Sequence, residues 1–168
     1  MTTVEQHIDI DVPVRTAYDQ WTQFEEFPTF MEGVESVTQI DDTHMRWVAE
    51  IGGARREWDA EITEQHPDHR IAWRSTDGKT NAGVVTFHRL DEARTRVTVQ
   101  IDHDPEGIVE KAGTMLGFDD RRVKGDLERF KDMIEARGTA SGAWRGDVEN
   151  PDDRAGGTQG GTGSGGTW

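Results

Sequence analysis

Hydrophobic positions along the chain keep one of two periods, and each change of period marks a change of element. Val4, Ile8, Ile10 and Val12 share one parity, the pattern of a strand with one buried face. Pro13 ends it. The segment Pro13–Trp21 places Val14, Ala17, Tyr18 and Trp21 at spacings of three and four behind a first-turn proline, which predicts a short helix. A second short helical piece, Glu25–Met31, carries Phe27, Phe30 and Met31 and is interrupted by Pro28.

Alternation returns from Val34 to Asp104 and predicts strands almost throughout. Met45, Trp47, Ala49 and Ile51 share a face, and Gly52-Gly53 turns the chain. Trp58, Ala60 and Ile62 follow on a strand whose other face, Glu57, Asp59 and Glu61, must be wet. Turns at His66-Pro67-Asp68-His69 and at Asp77-Gly78 bracket a strand with Ile71, Trp73 and Ser75 on one side. Val85 and Phe87, then Val97, Val99, Ile101 and His103, complete a set of seven strands with the first included. Pro105–Arg137 reads as one long helix. Ile108, Ala112, Met115 and Leu116 mark its first half and Val123, Leu127, Phe130 and Ile134 its second. Gly117 is the expected kink, since a helix-interior glycine costs about 1 kcal/mol relative to alanine.

One strand, two short helices, six strands and a long terminal helix is an α+β order, in which an antiparallel sheet buries one face against a helix. Strand twist curls such a sheet and leaves a space between it and the helix. That space is the expected site.

Composition changes the picture at the C-terminal end. Beyond residue 138 Gly, Thr, Ser, Asp and Asn dominate, so the 168 residues divide into a domain, 1–138, and an acidic Gly-rich tail, 139–168, expected to be disordered and to end in Trp168. Nineteen Lys and Arg against 33 Asp and Glu give a net charge of −14, which repels phosphate backbones and anionic surfaces. No nucleic-acid partner is expected of so acidic a protein. With no cysteine, the chain has no disulfide, thiolate nucleophile or Cys-based zinc site. No run nears the roughly 18 apolar residues of a spanning helix. The first twelve residues lack the pattern of a secretion signal. A cytoplasmic location without stable membrane insertion is the expectation.

Several short runs together resemble the START-like, helix-grip superfamily (SRPBCC), and within it the polyketide cyclase/dehydrase and coenzyme-Q-binding-like proteins. They are Val12-Pro13 followed by Ala17-Tyr18-Asp19-Gln20-Trp21, Phe24-Glu25-Glu26-Phe27-Pro28, Trp73-Arg74-Ser75 leading to Gly83-Val84-Val85-Thr86-Phe87, Thr95-Arg96-Val97, and Asp126-Leu127-Glu128-Arg129-Phe130-Lys131. The resemblance covers about residues 3–137. It implies a seven-stranded curved antiparallel sheet wrapped around a long C-terminal helix, with two short helices after strand 1. It also implies binding of a small hydrophobic molecule, lipid-, polyketide- or quinone-like, without a cofactor. The fold does not specify a reaction, because it hosts carriers and cyclising enzymes alike. In the cyclising members an inward Ser and Arg follow a Trp on one strand, and a Tyr leaves the second helix. Here Ala60 and Ile62 follow Trp58, and Val34 stands in place of the Tyr.

The ligand-binding residues expected from parity and helix face are Trp47, Trp58, Trp73, Ser75, Phe87, His103, Met115 and Phe118. The three indoles either wall an open cavity or fill a closed core. His103 is either an acid or base near neutral pH or a strand-end histidine bonded beside Asp104. No catalytic residue is assigned. His66 and His69 have metal-like spacing but no third ligand nearby, and read as a solvated hairpin loop with no metal. Arg55-Arg56 and Arg121-Arg122 read as surface pairs balanced by Glu57 and Asp119-Asp120. Two alternatives to a binding protein stay open: a cyclase/dehydrase-type enzyme using His103 and Ser75, and an interaction module whose tail carries Trp168 to a protein partner.

Overall fold

The computed structural model describes residues 2–51, 53–76, 82–103 and 120–149, and of Thr2, Ile51 and His103 the backbone alone. In chain order the elements are β1 (Thr2–Ile10), α1 (Val14–Trp21), a 3-10 helix (Phe24–Thr29), β2 (Val34–Asp41), β3 (His44–Ile51), β4 (Ala54–His66), β5 (Arg70–Ser75), β6 (Ala82–Asp91), β7 (Arg94–His103) and α2 (Asp120–Arg137). The strands form one curved sheet in the order β1-β7-β6-β5-β4-β3-β2, antiparallel at every pairing. This is the α+β helix-grip arrangement expected from the sequence. The first half of the long helix, with Ile108, Ala112, Met115, Leu116, the Gly117 kink and Phe118, lies outside the described residues, as do the Asp77-Gly78 turn and Trp168.

Pro13 stands at the N-cap of α1 with φ −63° and ψ 155°, an extended conformation that aims the chain into the helix without needing an N–H. Ala17, Tyr18 and Trp21 are buried on its inner face. Pro28 is accommodated because the second short piece is a 3-10 helix rather than an α-helix. Its Phe27 meets Trp21 at 5.6 Å and Phe30 at 5.6 Å between ring centres. From α2, Phe130 closes this aromatic group at 4.8 Å from Trp21 and 5.0 Å from Phe30. Edge-to-face and tilted geometries of this kind add to the area that the rings bury.

Val123, Leu127, Phe130 and Ile134 form the buried stripe of α2. The helix ends where Gly138, at φ +77°, donates its N–H to the Ile134 carbonyl at 2.7 Å, a left-handed residue closing a helix C-terminus. Lys131 Nζ reaches the Asp9 carbonyl at 3.2 Å, and the Asp11 N–H donates to Glu135 Oε2 at 2.7 Å, so α2 is pinned to the β1 edge.

Residues 139–149 differ from the sequence-based expectation of disorder from 139 onward. They lie along the domain. The Ser141 N–H donates to Gln20 Oε1 at 2.8 Å and the Trp144 N–H to Thr22 Oγ1 at 3.1 Å. Gln65 and Val148 exchange two backbone hydrogen bonds of 2.8 Å. Arg145 pairs with Asp19 and, at 2.8 Å, with Asp68, while its guanidinium lies 5.5 Å from the centre of the Tyr18 ring. Composition misses this because the segment is ordered by polar groups of α1 and β4. Gln20 and Thr22 are buried and each gains one further side-chain bond from the segment, and the buried Gln65 gains two backbone bonds from it.

Candidate functional site

Between the sheet and α2 lies a cavity of about 70 Å³. Register explains its walls. Trp47 and Trp58 are directly opposite on β3 and β4, and their rings stack at 5.7 Å with 10° between planes. Ile62 on β4 faces Trp73 on β5, which faces Gly83 on β6, which in turn faces Ile101 on β7. Phe27 of the 3-10 helix leans on Trp47 at 5.5 Å. All of these but Gly83 line the space, together with Val123 and Leu127 of α2.

The charged lining groups among the described residues are Arg122 and Asp126, one turn apart on α2. Asp126 Oδ1 accepts from the Glu32 N–H at 3.0 Å and from Arg129 Nη2 at 2.5 Å. Burial nonetheless pushes the carboxyl above its ordinary value, outweighing the pull of the Glu32 amide and of the Arg129 and Arg122 guanidiniums. Arg122 Nη2 donates to the Glu32 carbonyl, so both side chains tie the Glu32-Gly33 loop to the helix. Gly33, at φ +84°, makes room for that guanidinium. The site is thus an apolar slot with an acid and a guanidinium together on its helix side.

Of the expected site residues, Trp47, Trp58 and Trp73 line the cavity. Ser75 is buried, in register with Ala60, and is not part of the described lining. Phe87 is not part of it either, because α1 covers that position. Its ring packs on Tyr18 at 5.3 Å and Trp21 at 6.3 Å. The His103 side chain, Met115 and Phe118 lie outside the described residues. Arg122 and Asp126 escaped the sequence reading, which placed Arg121-Arg122 on the surface. The available signal was their position, each directly before a residue of the buried stripe, Val123 and Leu127. Arg55 does pair as expected, with Glu57 at 3.3 Å, and also with Glu35 at 3.5 Å.

His66 sits in no free loop. Its Nδ1 meets Asp147 Oδ1 at 2.8 Å and its Nε2 meets Glu64 Oε2 at 3.0 Å, so the ring is bracketed by two carboxylates. The bond to Asp147, followed by that to Glu64, raises its pKa against the opposing effect of burial. Among the described residues no group of three or more His, Asp or Glu is arranged to hold a metal ion.

Residues 10–132 match the family described as polyketide cyclase / dehydrase and lipid transport. The chain belongs to this family. A similar curated protein, an uncharacterized 17.2 kDa protein of the melC2-rnhH intergenic region of Streptomyces lincolnensis, is 55% identical over 149 residues, which cover 88% of this chain and 99% of that protein. Among solved structures, DR_A0006 of Deinococcus radiodurans superposes with a TM-score of 0.65 at 29% identity, covering 82% of this chain and 99% of that one. The Zhui aromatase/cyclase of a Streptomyces species superposes with a TM-score of 0.63 at 17% identity, covering 85% of this chain and 99% of that one. At that identity the shared property is the fold. The cyclase/dehydrase family thus accounts for the sheet, the helix and the space between them. At the positions where the resemblance calls for polar groups, Ala60 is fully buried and Val34 and Ile62 give apolar wall.

Proposed function

We propose that the protein binds a small hydrophobic molecule, lipid-, polyketide- or quinone-like, between its curved sheet and α2. The observation that carries this reading is the convergence of Trp47, Trp58 and Trp73, from three successive strands, on one apolar cavity. Apolar ligand surface buried there contributes about 2.5 kcal/mol per 100 Å². Small-molecule sites usually enclose roughly 300–1,000 Å³. A cavity of about 70 Å³ therefore has to widen as its ligand enters. Arg122 and Asp126 suit a ligand with one hydrogen-bonding end, such as a carbonyl or hydroxyl. A cytoplasmic location belongs to the same proposal, while docking of a protein partner through Trp168 is a separate reading that ligand binding does not require. Fluorescence titration with the neutral dye N-phenyl-1-naphthylamine tests the binding reading. Saturable binding that weakens at least fivefold in Trp58→Ala, with the variant folded, supports it, and an absence of saturable binding overturns it.

A second reading, a cyclase/dehydrase-type reaction, has one observation in its favour. The half-buried Asp126 carboxyl, its pKa raised by burial, and the Arg122 guanidinium stand together at the cavity wall. Ser75, expected beside His103 in this reading, is buried outside the described lining. Ring closure of a poly-β-keto substrate that is lost in Asp126→Asn would establish this reading.

A further inference from the structure

Five strands contribute to one row across the concave face of the sheet: Ile62, Trp73, Gly83, Ile101 and Val4 are successive register partners on β4, β5, β6, β7 and β1. Four of the five are large. The fifth, Gly83, has no side chain, and the space it leaves is filled by its neighbour. A Cβ built at residue 83 would come within 2.6 Å of Cη2 and Cζ2 of Trp73, and within 2.7 Å of the Gln100 carbonyl oxygen. The six-membered ring of Trp73 therefore lies across the glycine. Glycine inside a strand weakens the strand and marks a close approach by another group. Here the group that approaches is a cavity wall.

From this we infer that Gly83 holds the Trp73 indole down on the sheet and thereby sets the width of molecule that the cavity admits. The inference rests on the binding reading above and names the position that selects ligand size. The physical argument is one of volume. Ile62 flanks Trp73 on one side and Ile101 flanks Gly83 on the other, both in register, so neither side offers the ring a place to go. With any side chain at residue 83 the indole has to lift off the sheet, and the space above it is the cavity. That space is only about 70 Å³, so even a small displacement of an indole consumes a large share of it. Gly83 is a positioning residue. It touches no ligand and acts through Trp73.

The test compares two probes of different width, N-phenyl-1-naphthylamine and 2-naphthol, and reads the ratio of their dissociation constants. It also reads the indole N–H resonance of Trp73, assigned in the native protein from its loss in Trp73→Leu. In Gly83→Ala the Trp73 resonance should shift and the ratio should move at least tenfold against the wider probe. In Trp73→Leu, with Gly83 kept, the ratio should move at least threefold in favour of the wider probe. The double variant Gly83→Ala/Trp73→Leu should match Trp73→Leu within twofold, because the alanine then has no ring to displace. A ratio unchanged in Gly83→Ala, or an unmoved indole resonance, overturns the inference. If the Gln100 carbonyl keeps Gly83→Ala from folding, Trp73→Leu alone decides, and an unchanged ratio there overturns it as well. If the native protein binds neither probe, the binding reading fails. The indole resonance in Gly83→Ala then decides separately whether the glycine places the ring.

Discussion

His66 and Asp147 are 81 residues apart in sequence and 2.8 Å apart in space, and their bond fastens the C-terminal segment to the end of β4. Beside it, Gln65 pairs with Val148 through the backbone and Arg145 spans Asp19 and Asp68. The segment thereby adds bonds to buried polar groups of the domain, the side chains of Gln20 and Thr22 and the backbone of Gln65.

A chain ending at Gly138 should consequently be less stable than one ending at Glu149. Removal of the segment takes both bonds to Val148 from the Gln65 backbone and one bond each from the Gln20 and Thr22 side chains, which keep their other partners, and a buried group left without a bond costs about 1–3 kcal/mol where water cannot reach it. Water will reach some of them, so the expected loss is about 2 kcal/mol in all. Urea denaturation of the two chains measures it. Equal midpoints would show that the segment contributes nothing, the outcome that composition alone suggests.

The same contact makes stability depend on pH. The folded-state pKa of His66 is raised by Asp147 and then Glu64, so the folded protein holds this proton more tightly than the unfolded chain. The contribution is complete below the ordinary histidine value near 6.5 and is lost as pH rises through the raised folded value. Urea midpoints taken from pH 5.5 to pH 8.5 should fall more for the native protein than for His66→Gln. Parallel curves would remove His66 as the cause.

The aromatic group joining α1, the 3-10 helix and α2 gives a larger effect. Phe130 is fully buried between Trp21 and Phe30, and no described wall of the cavity includes it. Phe130→Ala should cost about 3–5 kcal/mol, the usual range for such truncations. Denaturant unfolding gives the value, and a loss under 1 kcal/mol would mean that the group repacks without it.

The strands and the three indole walls were legible because both depend on parity, which survives in sequence wherever a sheet has one wet face. Parity fails at one place. The register of β4 against β5 shifts between Ile62 and Glu64, and beyond that irregularity Gln65 turns inward opposite Ile71. A buried glutamine that depends on a strand interruption and on a segment 83 positions later, at Val148, leaves no periodic trace. Arg122 and Asp126 were hidden differently. Charged residues beside an apolar helix stripe normally face water, whereas these two line the cavity and hold the loop at Glu32.

Asp126 permits a sharper test of that placement. Its folded pKa is raised chiefly by burial, so its proton stabilises the fold below the ordinary aspartate value of 3.8, and its ionised form is held at a net cost at neutral pH. Asp126→Asn keeps an oxygen that accepts from the Glu32 N–H and never ionises. At pH 7 the variant should therefore equal or exceed the native protein in stability, with a gain of at most about 1 kcal/mol after allowance for the weakened bond to Arg129. As pH falls toward 3.8 the native carboxyl takes up its proton, and the two stabilities should converge. Urea midpoints at pH 7 and pH 4 read both parts. A variant less stable than the native protein at pH 7, with the difference shrinking at pH 4, would show that the ionised carboxylate is favourable where it stands and that its pairing with Arg129 outweighs its burial.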